Sequence, residues 1–394
     1  MRAVSGEALG DDVGHDKIEW HRHESPSPRG EVALEIPQSL EDAINNVVTH
    51  HLATNLHDHG LLLTDGDLSV AQTEIAKLGH WLLTGVLRQC YPMLWSGEPT
   101  ALEFEHGDDV ARIGAALAFG AVTSTVLTSR RRDPERLARS CELLCATFNL
   151  GIGLIDGLCD GDAQTGEQLL HHIRAADLLY AAQGRRTTGW LSAGLPRLMA
   201  TDPSVVFTVN VIEAFFHTLH DAYPEERGAN VRRIVGRQLH LALESESQSV
   251  RWPQVPASRA RLIECSRATS VLPFEIIETL TIGSRPSRTP SPGTLLGEAM
   301  WRIDDLVDLC DDARSGALNG VLLAMREEEP PPSDRAQHYR LSDVEHLLAS
   351  PIIASAAARA VENLDAGLRL TSAGRNAFVY FVQRYAALPP GAAS

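Results

Sequence analysis

Lysine is almost missing from this chain of 394 residues: Lys17 and Lys77 are the only two, so nearly every positive charge is an arginine. Such a skew reflects genome composition before it reflects function. Positive charge as a whole is short, with a formal net charge of -16 and a pI near 5.4. That excludes a general nucleic-acid surface, because displacing counterions from a polyanion needs a positive field. Cysteine is sparse: Cys90, Cys141, Cys145, Cys159, Cys265 and Cys310 lie in apolar helical patterns, and no CxxC occurs. They read as reduced core residues of a cytoplasmic protein rather than as disulfides or zinc ligands. No apolar run reaches the roughly 18 residues expected of a membrane helix, and the N-terminus shows no signal-peptide core, so no stable membrane insertion is expected. Strand-like alternation is nearly absent. So are GxSxG, HExxH, a phosphate-binding glycine loop and a dinucleotide fingerprint, which removes the chemistries those motifs serve.

What is present is helical periodicity. The apolar fraction of 44% suffices for a sizeable core, and apolar residues recur at three- and four-residue intervals from about residue 38 to 387. The spacing predicts helices near 38–58, 68–92, 108–129, 133–160, 164–182, 186–200, 204–221, 226–247, 257–283, 292–324, 341–352, 354–369 and 372–387. Residues 1–35 lack periodicity and read as a disordered or loosely docked arm, leaving 36–394 as one all-α domain. Ser291-Pro292 predicts an N-cap followed by proline at the first helical position. The run REEEPPPSDR (326–335) predicts a surface loop or flap.

The most informative stretch is MWRIDDLVDLCDD, which holds Asp304, Asp305, Asp308, Asp311 and Asp312. On a straight helix Asp304, Asp308, Asp311 and Asp312 share a face. A solvated acidic surface would ordinarily interleave basic residues, whereas here only Arg302 and Arg314 lie nearby. A divalent cation of the magnesium type relieves such repulsion, since hard cations take carboxylate oxygens. Upstream, FNLGIGLIDGLCDGD repeats the theme, with Asp156 and Asp160 four residues apart and Asp162 just beyond.

Two aspartate-rich helix ends in an all-helical chain resemble the class I isoprenoid synthases, which comprise trans-prenyl diphosphate synthases and terpene cyclases. The segment LLGEAMWRIDDLVDLCDD is similar to the second aspartate-rich motif of the trans-prenyltransferases, with Asp304, Asp305 and Asp308 filling DDxxD. GRQLHLAL, with Gln238, is similar to their Gly-Gln helix. SRATSVLPFEIIETLTIG is similar to their Lys-Thr helix, with Arg267 in place of the diphosphate-binding lysine. The resemblance spans about residues 110–320. It implies a helical bundle of the isoprenoid synthase type, with Asp156, Asp160, Asp304, Asp305 and Asp308 holding Mg2+, three ions together with the diphosphate of an allylic substrate.

The departures from the pattern matter. Gly157 stands where the first motif has its second carboxylate, and the Arg-Arg pair that follows it in chain elongators is replaced by AQTGEQLLHH. A site with fewer cations for isopentenyl diphosphate points to a terpene cyclase, a diphosphate lyase, rather than an elongator. FVQRYA places Arg384 and Tyr385 where many bacterial cyclases carry an Arg-Tyr pair that grips diphosphate. Arg174, Arg185 and Arg186 are further phosphate candidates, because the guanidinium fork suits phosphate oxygens.

Aromatic faces can stabilise a passing carbocation, and Trp301, three residues before Asp304, is the leading candidate beside Phe148, Trp81, Trp190, Phe215, Phe216 and Tyr380. Gly151, Ile152 and Gly153 leave the turn before Asp156 open. Phe148, eight residues or roughly 12 Å deeper by helical rise, is the first bulky stop. That suggests a diterpene precursor, geranylgeranyl diphosphate. The rival readings are a trans-prenyl diphosphate synthase that uses isopentenyl diphosphate, a non-catalytic prenyltransferase-like partner subunit, and a metal hydrolase built on His57-Asp58 and His220-Asp221. Synthases of this kind often pair as homodimers.

Overall fold

The computed structural model describes residues 34–87, 107–128, 134–184, 189–250, 259–287, 289–325, 339–369 and 374–391. Among them stand fifteen α-helices and no strand, so the fold is all-α, and the only β-type pairing is an isolated bridge between Thr64 and Gly391. Residues 1–33 of the N-terminal arm, Cys90, Arg185, Arg186 and the REEEPPPSDR run lie outside the described residues.

Local chemistry sets the helix boundaries. Helix α1 (Gln38–Asp58) buries Ile44, Val48, Leu52 and Leu56, the stripe expected of an amphipathic helix. Helix α2 (Asp65–His80) opens with a capping box between Thr64 and Asp67, and continues as a π-helical turn, Trp81–Leu87. Helices α3 (Gly107–Thr128) and α4 (Pro134–Gly161) follow. The predicted helix at 164–182 is two: α5 (Ala163–Ala175) and α6 (Leu178–Gln183). Asp177 between them turns left-handed, with φ 51°, and its carboxylate accepts from Tyr180 N at 3.1 Å. The predicted helix at 186–200 is replaced, within the described residues, by two 3₁₀ turns, Ser192–Gly194 and Met199–Thr201. Gly189 with φ 80° and Pro196 lie in that stretch and oppose a continuous helix.

Helices α7 (Pro203–Ala222), α8 (Glu225–Val250) and α9 (Arg259–Ile282) lead to the acidic segment. Ser291 caps α10 (Pro292–Val307) by accepting from Thr294 N at 3.2 Å, with Pro292 at the first position as its sequence predicts. The predicted helix at 292–324 breaks twice, giving α10, α11 (Leu309–Ser315) and α12 (Gly320–Met325). Helices α13 (Leu341–Leu347), α14 (Ile352–Leu368) and α15 (Arg375–Tyr385) complete the chain.

Packing places the two acidic segments in one bundle. Helix α4 lies against α3 and α7, while α8, α9, α10, α14 and α1 neighbour one another in that order. Helix α9 also touches α3 and α4, and α15 packs on α2 and α3. One cluster of buried apolar residues runs through helices from α1 to α15. Helices α9 and α10 approach closely because Gly297 has no side chain: a Cβ there would lie 2.7 Å from Val271 Cα.

One expectation needs correction. Ala111–Thr128 and Cys141–Gly161 are each long and apolar enough to cross a membrane by length and composition. They are 67% and 56% buried inside the bundle, as core helices of a folded domain are, so length and hydropathy by themselves carry little weight.

Candidate functional site

Helix α4 carries Phe148, Ile152, Asp156 and Asp160 at four-residue intervals, so apolar and acidic groups follow one another along one stripe. Thr147, Phe148, Gly151, Ile152 and Ile155 form one wall of an apolar pocket. Ile173 from α5, Ile212 and Phe215 from α7, and Leu239 and Leu243 from α8 close it. Phe148 and Phe215 meet there with ring centroids 5.4 Å apart. The pocket holds about 300 Å³ of empty volume, open solvent at its mouth included, and as packed has room inside for about one water molecule. A prenyl chain of ten or more carbons enters only if these walls separate.

The acids lie one turn beyond the pocket. Asp156 follows Ile155 directly, and Glu246 comes three residues after Leu243 on α8. Helix α10 brings Asp304, with Asp308 at its end. These groups sense one another across three helices. Burial, then Asp160, Glu246, Asp304 and Asp308, push the Asp156 carboxyl well up. Burial, Asp160 and Asp304 raise Glu246 to about 7. Burial and then Asp308 raise Asp304 to about 7, against a lowering hydrogen bond from Tyr385. Among the described residues, every charged neighbour that shifts these three groups is itself an acid. Asp156, Asp160 and Asp304 nevertheless keep accessible surface, so they line a wet depression rather than a dry interior.

Tyr385, at the end of α15, joins this depression from the far end of the chain. Its hydroxyl donates to Asp304 and lies 3.1 Å from Asp308 Oδ2. Burial and the two carboxylates push the phenol well above its ordinary range, which keeps it a proton-bearing donor.

The other sequence-predicted residues separate from this group. Asp305 is buried and its carboxylate accepts from Gly320 N at 3.1 Å, so it braces the start of α12, while burial and then Asp304, with Asp308 further down, push its carboxyl well up. Asp312 turns to the Asn319 amide at 2.9 Å, because the chain breaks at Asp308 and does not continue the straight helix that would align the stripe. Asp162 caps α5, held below the usual carboxylate range first of all by the Thr165 hydroxyl. Arg267 and Arg302 both bind Glu298. Burial raises that carboxyl, but hydrogen bonds from Arg302 and Arg267 outweigh it and leave Glu298 below its usual range. Trp301 donates to Ser266 Oγ at 2.8 Å, has Arg302 over its ring at 4.8 Å, and does not line the pocket. Gln238 accepts from Thr279 at 3.2 Å, and Arg384 stays with Tyr380 at 3.4 Å. Arg174 keeps its Nε buried without a hydrogen-bond partner. His57 and Asp58 are both largely exposed, and His220 is engaged by the Ala181 carbonyl at 3.0 Å, so neither His-Asp pair forms a centre.

Glu246 is the member that motif reading missed. Its signal was present, since Leu239, Leu243 and Glu246 fall at i, i+4 and i+7, an acid ending an apolar stripe.

The donor set fits a hard divalent cation by its chemistry, being carboxylate oxygens with mutual repulsion to relieve. Among the described residues no three acidic, histidine or cysteine side chains converge tightly enough to hold an ion as they stand. Ligation therefore requires side-chain rotation or oxygens from a substrate. Comparison with protein-family models, curated proteins and solved structures finds no match to this chain.

Proposed function

We propose that this protein is a class I terpene synthase that ionises an allylic prenyl diphosphate in the presence of Mg2+ and cyclises the resulting carbocation. The observation that supports this most is Tyr385: the tyrosine of the C-terminal Arg-Tyr pair reaches Asp304 and Asp308, 81 and 77 residues away. Asp156 and Asp160 on one side and Asp304 and Asp308 on the other would hold the metal, with Glu246 within electrostatic reach. Mg2+, when bound, would neutralise charge on the departing diphosphate.

The chain's own residues divide the rest of the work. Tyr385 donates a hydrogen bond at the acidic rim. The hydrocarbon would enter the pocket between α4, α7 and α8, whose exposed lining is apolar and so withholds water from a cation. Phe148 and Phe215 line it and would supply the aromatic rings nearest a cation there. Gly151 and Ile152 would flank the chain near its diphosphate end. Arg267 is held through its Nε by Glu298 and would offer a diphosphate its terminal nitrogens. Geranylgeranyl diphosphate remains the proposed substrate on the position of Phe148 as the first bulky side chain.

Purified protein is incubated with Mg2+ and allylic diphosphates of ten, fifteen or twenty carbons, each with and without isopentenyl diphosphate, and the products are separated by gas chromatography with mass detection. A hydrocarbon or alcohol from an allylic diphosphate alone is the expected result, and Asp304→Ala is expected to abolish it. Longer diphosphates formed only with isopentenyl diphosphate would replace this reading with chain elongation, and no turnover at all would replace it with a partner subunit.

A further inference from the structure

Asn319 is wholly buried, yet each polar atom of its side chain is engaged. Its Nδ2 donates to the Asp305 carbonyl at 2.7 Å and to Asp312 Oδ2 at 2.9 Å. Its Oδ1 accepts from Val321 N and Leu322 N, both at 3.0 Å. Its backbone N–H donates to the Tyr339 hydroxyl at 3.2 Å. Gly320 next to it gives its N–H to the Asp305 carboxylate, so two consecutive residues grip Asp305 by backbone and side chain together.

These bonds converge on the break between α10 and α11. A helix end leaves its last four carbonyls in need of donors, and the Asp305 carbonyl, within the last turn of α10, is met by the Asn319 amide. Aspartate has the same shape but offers no N–H, and leucine offers neither donor nor acceptor. Asp308 stands at the break itself and Asp304 one turn before it. The direction in which these two carboxylates face Tyr385 and α4 therefore depends on where Asn319 holds the segments on either side.

We propose that Asn319 is the positioning residue of the acidic site, fixing the helix break that aims Asp304 and Asp308 without itself facing the pocket. Its functional consequence rests on the terpene synthase reading; its structural effect does not.

The full chain is compared with Asn319→Asp, which keeps the shape and loses the donors, and with Asp312→Ala, which leaves Asn319 in place and removes one acceptor. Hydrogen–deuterium exchange of the metal-free proteins reads positioning directly. Peptides covering 304–312 are expected to exchange about ten-fold faster in Asn319→Asp, with peptides from α4 and α14 unchanged. Mn2+ affinity, followed by electron paramagnetic resonance, is expected to weaken about ten-fold in the same variant and less in Asp312→Ala. If Asn319→Asp does not fold, Asp312→Ala carries both readouts, with a several-fold local rise in exchange expected. Unchanged exchange at 304–312, or a rise spread evenly over the molecule, overturns the proposal. A local rise in a protein that binds no Mn2+ even as wild type and with inorganic diphosphate present to supply ligand oxygens upholds the positioning role and removes the terpene synthase reading instead.

Discussion

Replacing Tyr385 with phenylalanine removes one hydroxyl and leaves the ring. That hydroxyl serves Asp304 and, at 3.1 Å, Asp308. At pH 8 Asp304 is mostly ionised, since burial and Asp308 raise it only to about 7. A hydrogen bond to a charged group contributes about 1.5–3 kcal/mol. Asp304 keeps solvent on one side, which screens the charge and favours the lower end, about 1.5 kcal/mol. With about 2.1 cal/mol/K of unfolding entropy per residue, 394 residues give about 0.8 kcal/mol/K. The expected fall in Tm at pH 8 is therefore about 2 °C. At pH 5 Asp304 is protonated, the bond joins neutral groups worth about 0.5–1.5 kcal/mol, and the fall shrinks to about 1 °C. Scanning calorimetry of the metal-free protein at both pH values resolves the difference. A variant that melts with the wild type at pH 8, or loses more at pH 5 than at pH 8, refutes the assignment of this hydroxyl to an ionised Asp304.

Three further outcomes follow from the same geometry. Asp304 and Glu246 are both raised to about 7, so the native protein holds protons that the unfolded chain releases above about pH 4. Stability of the metal-free protein should consequently fall as pH rises from about 4 to 7, and Mg2+ should restore it most at the alkaline end; Tm that is flat with pH, or indifferent to Mg2+, contradicts this. A Cβ at Gly157 meets nothing within 4 Å, so Gly157→Asp should fold with an unchanged Tm and leave cyclisation products the same, whereas a large gain in isopentenyl diphosphate use would identify an elongator. Gly297→Ala should lower stability by about 1–3 kcal/mol, because the added methyl meets Val271 Cα across α9 and α10; an unchanged denaturant midpoint would mean that these helices can move apart freely.

Much of the architecture was legible because it rests on local rules. Periodicity found α1, α4, α7 and α14 nearly to their ends, and the Ser291-Pro292 signature marked the start of α10. The misses have identifiable causes. Asp177 reads as one more helical residue, yet its left-handed conformation with a side-chain cap ends α5. The stripe from Asp304 to Asp312 reads as one face of one helix, yet Asn319, seven residues past its end, captures Asp312 and the Asp305 carbonyl. Sequence spacing is blind to a partner that arrives from beyond the segment.

The acids divide on the same principle. Which residues are acidic, and that Asp156 and Asp160 share a face, is a matter of residue identity and helical period, and the sequence alone determined both. That Asp304 and Asp308 meet Tyr385, that Glu246 joins them from α8, and that Asp305 is withdrawn to Gly320 was decided only by tertiary packing. Period and propensity act over about one helical turn. The mutual repulsion of carboxylates on α4, α8 and α10 exists only once burial of their apolar stripes has brought those three helices together.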